Sequence, residues 1–526
     1  MRPCLALALL LASAAAAQTE ATNYPAARFT DAGRKAKLLA AAADIDAAFE
    51  KYAKAQNIPG MVWGLVIDGE LAHVRSTGVR DLTAKDAVTA ETVFRIASMT
   101  KSFTALAILK LRDAGKLSLE DPVSRFIPEF AKMALPTSDA GPVRIRHLLT
   151  HGAGFPEDNP WGDQQLGATD ADLAAWLKKG IPFSTAPGSA YEYSNYGFGL
   201  LGRIVTKASG TDYRKYVEKE ILAPLGMSSS SLEYTAIPAA RRATGYRRKP
   251  DGAFEEEKPL PHGAFGSMGG LLTSATDLAR YVAFHLSAWP ARDEADHGPV
   301  ARASVREMNQ LWRPSALTAA RGKAQFSGYG YGLRISSDCR FAHIVGHGGG
   351  LPGFGSYMAW LPEFGVGMFA MANKTYSGPS GPINESWDLL LPTGALRPRE
   401  LPVSPLLSSM RDSIVKVWRN ADMRELHRVA AMNLFLDVPE AQRSNELAQA
   451  RTEAGACSSI GDVRPENWLR GVFDMTCEKG PVRVNFTLTP TQPPALQYLS
   501  FRRRNPDEPA ITAAPTSGLN GSFCRE

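Results

Sequence analysis

The sequence predicts an α+β protein: an antiparallel sheet built from both ends of a large domain, a mostly helical subdomain between them, and a small C-terminal α+β module. Three observations predict it. Strand-like runs cluster at 61–76 and return at 330–372, while 98–286 carries helical patterns broken by long Gly/Pro/Asn/Asp loops. A Pro-rich stretch at 391–405 then separates a second succession of helix and strand. With 526 residues, 44% hydrophobic and 21% charged, the chain is neither disordered, collagen-like nor a coiled coil, and its length suits two to four domains of ~150 residues.

The elements follow in chain order. Residues 1–17 carry one Arg, an apolar run and Ala15-Ala16-Ala17 ahead of Gln18, the pattern of a secretory signal peptide. The run falls short of the ~20 apolar residues of a membrane span, and no later stretch is long enough either, so no stable membrane anchor is expected. The expected location is periplasmic or secreted. A large domain, 30–390, opens with an Ala-rich helix over 30–56 that stops at Asn57-Ile58-Pro59-Gly60. Residues 61–67 read as a strand, Asp68-Gly69 as a hairpin turn and 71–76 as its partner; further strands are expected at 330–335, 342–345, 357–361 and 366–372. Residues 391–409 read as a Pro-rich linker and 410–435 as an amphipathic helix. Phe473, Met475 and Cys477, and then Val482, Val484, Phe486 and Leu488, alternate as half-buried strands, giving a small module over 410–506 and a polar, loose tail over 507–526.

The net charge of +6 is spread along the chain; Arg247-Arg248-Lys249 and Arg502-Arg503-Arg504 are short solvated runs, and nucleic acid is not the expected partner. Beyond the signal stand Cys339, Cys457, Cys477 and Cys524, with no C-x-x-C pair and hence no zinc pattern. In an oxidising compartment Cys457 and Cys477 are expected to bond, while Cys339 and Cys524 either pair or stay free. Oligomeric state is left open.

Most catalytic signatures are missing: no G-x-S-x-G elbow, Walker loop, H-E-x-x-H or dinucleotide fingerprint occurs, and no cofactor is expected. His147 and His151 are spaced for one helix face but lack a third ligand, so they read as structural and no metal is expected. The informative segment is Arg95-Ile96-Ala97-Ser98-Met99-Thr100-Lys101, followed by an apolar helical run. Ser98 and Lys101 are one turn apart on a helix face. A serine hydroxyl needs a base to become a nucleophile, and a buried lysine near a helix N-terminus is held neutral enough to serve. A second S-x-x-K, Ser413 to Lys416, has no such company and reads as chance on a helix surface. Two further segments support the first. Tyr193 and Asn195 follow the Pro187-Gly188 turn and can present a phenol and an amide to one cavity. His347-Gly348-Gly349-Gly350 ends an apolar strand, where glycines let a substrate approach a strand edge and the Gly350 N–H can hold an oxyanion.

These three motifs, with the segments at 115–122, 146–154, 187–203 and 269–278, resemble the serine β-lactamase-like superfamily of class C β-lactamases, DD-peptidases, D-aminopeptidases and esterases, over about 44–387. The resemblance implies the β-lactamase/transpeptidase-like fold and an acyl-enzyme on Ser98. Lys101 would accept its proton and Tyr193 would shuttle protons, though the two roles are exchangeable. Asn195 would orient substrate and lysine, and the N–H groups of Ser98 and Gly350 would form the oxyanion hole. His347, Gly348 and Gly349 stand where relatives often carry Lys-Thr-Gly. A neutral His347 gives up the fixed charge that grips a β-lactam carboxylate, which moves the expectation toward cleavage of an ester or of a peptide or amide bond at a D-residue. β-Lactam hydrolysis and a non-catalytic, penicillin-recognising sensor are the alternatives. The substrate would be a small molecule or peptide, passing a loop over 155–167 whose Trp161 would lie at the pocket mouth.

Overall fold

A computed structural model describes residues 24–320 and 323–505; the expected signal, 1–17, and tail, 507–526, lie outside the described residues. The chain divides into two compact units, residues 29–400 and residues 24–28 with 401–505.

In the larger unit eight strands form one antiparallel sheet: β1 (Gly60–Ile67), β2 (Glu70–Gly78), β3 (Arg313–Ala320), β4 (Lys323–Tyr329), β5 (Arg334–Asp338), β6 (Ile344–Leu351), β7 (Phe354–Leu361) and β8 (Val366–Ala372). Their spatial order is β2-β1-β8-β7-β6-β5-β4-β3. The first strand therefore lies beside the last, in register from Met61↔Ala372 to Ile67↔Val366. Both ends of the domain build the sheet, as the strand runs predict. The main helices are α1 (Ala42–Ala55), α2 (Thr100–Asp113), α3 (Asn195–Ser209), α4 (Ala275–Ser287) and α5 (Ser380–Leu390).

Every residue of β1 is buried because both faces of the sheet are covered. Trp63, Leu65 and Ile67 share a core with Ile45 and Phe49 of α1 and with Ile383 and Trp387 of α5. Val62 and Val66 face the opposite core, which contains Phe103 and Leu106 of α2 and Tyr281 and Val282 of α4. Each such side chain withdrawn from water contributes ~1.5–3 kcal/mol, so the sheet is held between two apolar layers and gives the site rigid walls.

Several elements differ from expectation. The helix expected over 30–56 is two, Arg34–Leu39 and α1, and the break lets Leu38 join Ile45 and Phe49 in one core. The strand expected at 330–335 straddles a turn between β4 and β5. Tyr329, Tyr331 and Leu333 are all buried, which mimics a strand. Gly332, however, turns at φ +68° and passes so close to α2 that a Cβ would stand 2.6 Å from the Lys101 carbonyl oxygen. The hairpin of β3 and β4 was not foreseen. The strand expected at 342–345 continues through Leu351, so 347–350 is sheet, not the loop after it.

The smaller unit packs α6 (Pro405–Asn420), α7 (Met423–Val429), α8 (Met432–Asp437) and α9 (Glu440–Ala454) with β9 (Cys457–Ile460), β10 (Arg464–Asn467), β11 (Arg470–Cys477), β12 (Val482–Leu488) and β13 (Leu496–Arg503). The strand order is β9-β11-β12-β13, with β10 paired to β11. The Pro-rich stretch is partly structured: Ala395 and Leu396 are buried in the larger unit's core. Ser404 then caps α6 by accepting the Leu407 N–H at 3.2 Å, and Pro405 occupies the first turn, where its missing N–H costs nothing. The single helix expected over 410–435 breaks at Ala421, φ +50°, after which Asp422 caps α7 through the Arg424 N–H at 2.9 Å. Helix α9 shows little apolar periodicity because only Leu447 and Ala454 are buried. Cys457 and Cys477 face each other on β9 and β11 and form a disulfide. Cys339 is also disulfide-bonded; Cys524 lies outside the described residues.

Candidate active site

Ser98 sits in a 3-10 turn, Ala97–Met99, that runs straight into α2. The residue before it, Ala97, is left-handed at φ +51°, a conformation that costs a non-glycine residue ~1–2 kcal/mol. The surroundings hold it there. The Ile96 N–H donates to the Leu271 carbonyl at 3.0 Å, and the Ile96 carbonyl accepts from Ser356 Oγ at 2.8 Å. Strand β6 crosses this turn at Gly349, where a Cβ would stand 2.1 Å from the Ile96 oxygen. Glycine at 349 is thus a packing requirement, and the residue does not line the cavity.

Lys101 is wholly buried. Its Nζ lies 3.0 Å from Ser98 Oγ, 2.7 Å from Asn195 Oδ1 and 2.8 Å from the Met268 carbonyl. Two of those partners can only accept. A neutral amine has two N–H groups and one lone pair, so with both N–H groups given to Asn195 and Met268 the lone pair faces the Ser98 hydroxyl. Burial lowers the Lys101 pKa to about 7; the charge of Arg334 adds to this, while Asp163 and Asp158 oppose it. At neutral pH the amine is poised to take a proton.

Tyr193 is buried beside them, with Lys101 Nζ 4.9 Å from its ring centroid. Burial drives its pKa far above the ordinary tyrosine value, opposed by a hydrogen bond with Ser98 and by Arg334. It is a phenol, able to relay a proton but not to act as a resident anion. Asn195 opens α3, whose N-terminus is capped by Ser194 and by the Asp158 carboxylate, which accepts the N–H groups of Asn195 at 2.6 Å and Tyr196 at 2.7 Å. Fully buried, Asn195 holds Lys101 and does not reach the cavity lining. His147 and His151 have structural work: the Nδ1 of each accepts a backbone N–H, from Arg144 and Ser194 respectively.

The cavity above Ser98 has a volume of about 440 Å³ and is lined by Ser98, Tyr193, His347, Gly348, Gly350, Arg334, Asn159, Pro160, Asp163 and Tyr376. His347 is neutral: its Nε2 meets the Tyr329 hydroxyl at 2.7 Å, its Nδ1 meets the Gly348 carbonyl at 2.5 Å, and burial, with the charges of Arg334 and Lys101, lowers its pKa far below the usual histidine value. Strand β5 pairs with β6 only through Ile344, Val345 and Gly346. From His347 onward that side of β6 has no strand partner among the described residues, and His347, Gly348 and Gly350 line the cavity. Contrary to expectation, Trp161 does not line the cavity: it packs against Trp176, Tyr196 and Phe265, while its neighbours Asn159, Pro160 and Asp163 line it.

Sequence reasoning missed Arg334, Asp163 and Tyr376. Arg334 alternates with the buried Leu333 and Ile335, which marks it only as facing away from the core. It is solvent-accessible, bordered by Tyr191, Tyr193, Tyr329 and Tyr357, and has no carboxylate in ion-pair contact among the described residues. A fixed cation therefore does stand in this cavity, on β5 instead of at His347.

A buried serine–lysine pair with a neighbouring phenol, set between an antiparallel sheet and a helical subdomain, defines a serine hydrolase of the β-lactamase-like architecture. Comparison with known proteins agrees. The family described as Beta-lactamase matches residues 45–391, and the chain belongs to this serine β-lactamase-like family as a hydrolase of esterase or DD-peptidase type. It is 30% identical to "Esterase EstB" of Burkholderia gladioli over 65% of this chain and 93% of that protein. It is 28% identical to "D-alanyl-D-alanine-carboxypeptidase/endopeptidase AmpH" of Escherichia coli K12, over 65% and 86%. Among solved structures, an octameric penicillin-binding protein homologue from Pyrococcus abyssi shares the fold with a TM-score of 0.58 at 24% identity, over 85% of this chain and 94% of that one.

Proposed function

We propose that the protein cleaves an ester, or an amide bond at a D-residue, through an acyl-enzyme on Ser98. The carrying observation is the 3.0 Å contact between Lys101 Nζ and Ser98 Oγ, in an amine whose other two contacts are pure acceptors. Lys101 takes the Ser98 proton as Oγ attacks the carbonyl carbon. The N–H groups of Ser98 and Gly350 hold the oxyanion. The C–O or C–N bond then breaks as the leaving group receives a proton through the Tyr193 phenol. Water hydrolyses the acyl-enzyme, its proton passes to Lys101 through the same phenol, and Ser98 is regenerated. The pKa shifts support lysine as base and tyrosine as relay over the exchanged roles.

Arg334 supports a leaving group that carries a carboxylate, since the cation borders the Tyr193 ring at 5.7 Å. It also favours a second reading, β-lactam hydrolysis, because it restores the positive charge that His347 lacks. Turnover of a D-alanyl-D-alanine peptide or a chromogenic ester with an inert cephalosporin separates the first reading from the second; equal turnover of the cephalosporin reverses the choice. Labelling of Ser98 by a fluorophosphonate, lost in Ser98→Ala, tests the acyl-enzyme directly. We further propose that the protein acts after export, in the periplasm or outside the cell. The signal-like pattern over 1–17 and the Cys457–Cys477 disulfide support this, disulfides persisting in oxidising compartments. Recovery of the protein from a cytosolic fraction with reduced cysteines would overturn it.

A further inference from the structure

The cavity holds a second charged group that the acyl-transfer steps leave unused. Asp163 lines it while being only 5% exposed. Its carboxylate accepts a hydrogen bond from Tyr376 Oη at 3.1 Å and has no cation in ion-pair contact among the described residues. Lys101 does not fill that role, because its amine is spent on Ser98, Asn195 and Met268. A carboxylate this buried with one phenol as partner is costly in the free enzyme. Burial accordingly raises its pKa to about 6, although Lys101 and the Tyr376 hydrogen bond act in the opposite direction. A ligand that brings a positive charge removes that cost.

The placement says which half of the substrate carries it. Tyr376 lies over Gly350, whose added Cβ would stand 2.7 Å from its ring, so the Asp163–Tyr376 pair flanks the oxyanion end of the site. Arg334 borders Tyr193, on the side where the leaving group takes its proton. The two charges are separate, with no ion pair between them.

We propose that Asp163, held by Tyr376, is an ammonium-binding subsite, and that the preferred substrates are acyl donors with a free primary amine in the acyl half. The inference rests on the acyl-enzyme reading of Ser98. The ammonium donates to an Asp163 oxygen as the carbonyl settles over Ser98, while Arg334 takes any carboxylate of the leaving half. The free enzyme is thus complementary to a zwitterionic aminoacyl compound.

The test compares D-alanine p-nitroanilide with isobutyric acid p-nitroanilide, in which a methyl replaces the ammonium, using the full chain and its Asp163→Asn, Asp163→Glu and Tyr376→Phe variants. The readout is the ratio of the two kcat/KM values within each protein, which a change at Lys101 alone does not move. The wild type is expected to favour the amine ~10-fold or more, as for one charge-assisted hydrogen bond. In Asp163→Asn the ratio falls to within ~2-fold of unity, and Asp163→Glu recovers part of it. Tyr376→Phe raises KM for the amine more than for the methyl compound. A wild type without preference, or Asp163→Asn retaining it, overturns the subsite. Fluorophosphonate labelling of the same proteins separates the failures: a labelled Ser98 without amine preference sinks the subsite alone, whereas an unlabelled Ser98 with no turnover sinks the acyl-enzyme reading and the subsite with it.

Discussion

The chain carries S-x-x-K twice, and the two copies share spacing and helix but not environment. At Ser98 and Lys101 both side chains are buried, and the amine meets the hydroxyl at 3.0 Å. At Ser413 and Lys416 the serine is buried, but its Oγ accepts from Arg428 at 3.1 Å, and the lysine points to solvent. The expectation that the second pair lies on a helix surface holds for Lys416 and not for Ser413. A helix turn supplies the distance, but only burial supplies the base. Water around Lys416 keeps an ammonium hydrated, whereas Lys101 is fully buried and meets only Ser98, Asn195 and the Met268 carbonyl.

That contrast can be broken or sharpened by substitution. Lys101→Ala should reduce turnover of any acyl substrate by ~1,000-fold or more while the fold survives, checked by steady-state rates and circular dichroism. Tyr193→Phe removes the relay and should cost ~100- to 10,000-fold in kcat, since proton transfer by a positioned group is worth that much. In the smaller unit the disulfide closes a separation of 20 residues, so Cys457→Ala with Cys477→Ala should lower that unit's stability to urea by ~3 kcal/mol. Ser413→Ala leaves Arg428 one acceptor short and should cost ~1 kcal/mol of stability with no change in kcat. Lys416→Ala should change neither quantity measurably. Activity lost in Lys416→Ala would erase the distinction between the two copies.

What the sequence revealed of the site has a physical pattern. Ser98 and Lys101 were legible because a nucleophile and its base need particular groups one helix turn apart, Tyr193 because a tyrosine and an asparagine follow the Pro187-Gly188 turn together, and the Gly-rich run at 347–350 marks a close backbone approach at Gly349. Asn195 was found, but its duty is to Lys101, because the cap at Asp158 draws the start of α3 into the core. Trp161 was one to two residues from the groups that face the cavity, a displacement set by the short helix Asn159–Gly162 that pattern reading cannot resolve. Arg334 and Asp163 carried no signal, as a lone charged residue on a strand or in a loop looks the same whether it meets water or substrate. In the fold, two-sided burial made β1 and β8 plain as apolar runs, while α9 and the β3–β4 hairpin, with few buried positions, stayed hidden.

The central claim is that Lys101 is neutral when Ser98 attacks, and the rate of Ser98 acylation against pH, read by intact-protein mass spectrometry with a fluorophosphonate, tests it most directly. A base whose pKa is lowered to about 7 is inactivated by protonation below that value, so the rate should fall ~10-fold per pH unit under pH 7 and level off above it. A rate that is flat from pH 5 to 9, or that rises only near pH 10 as for an ordinary lysine, would contradict the account.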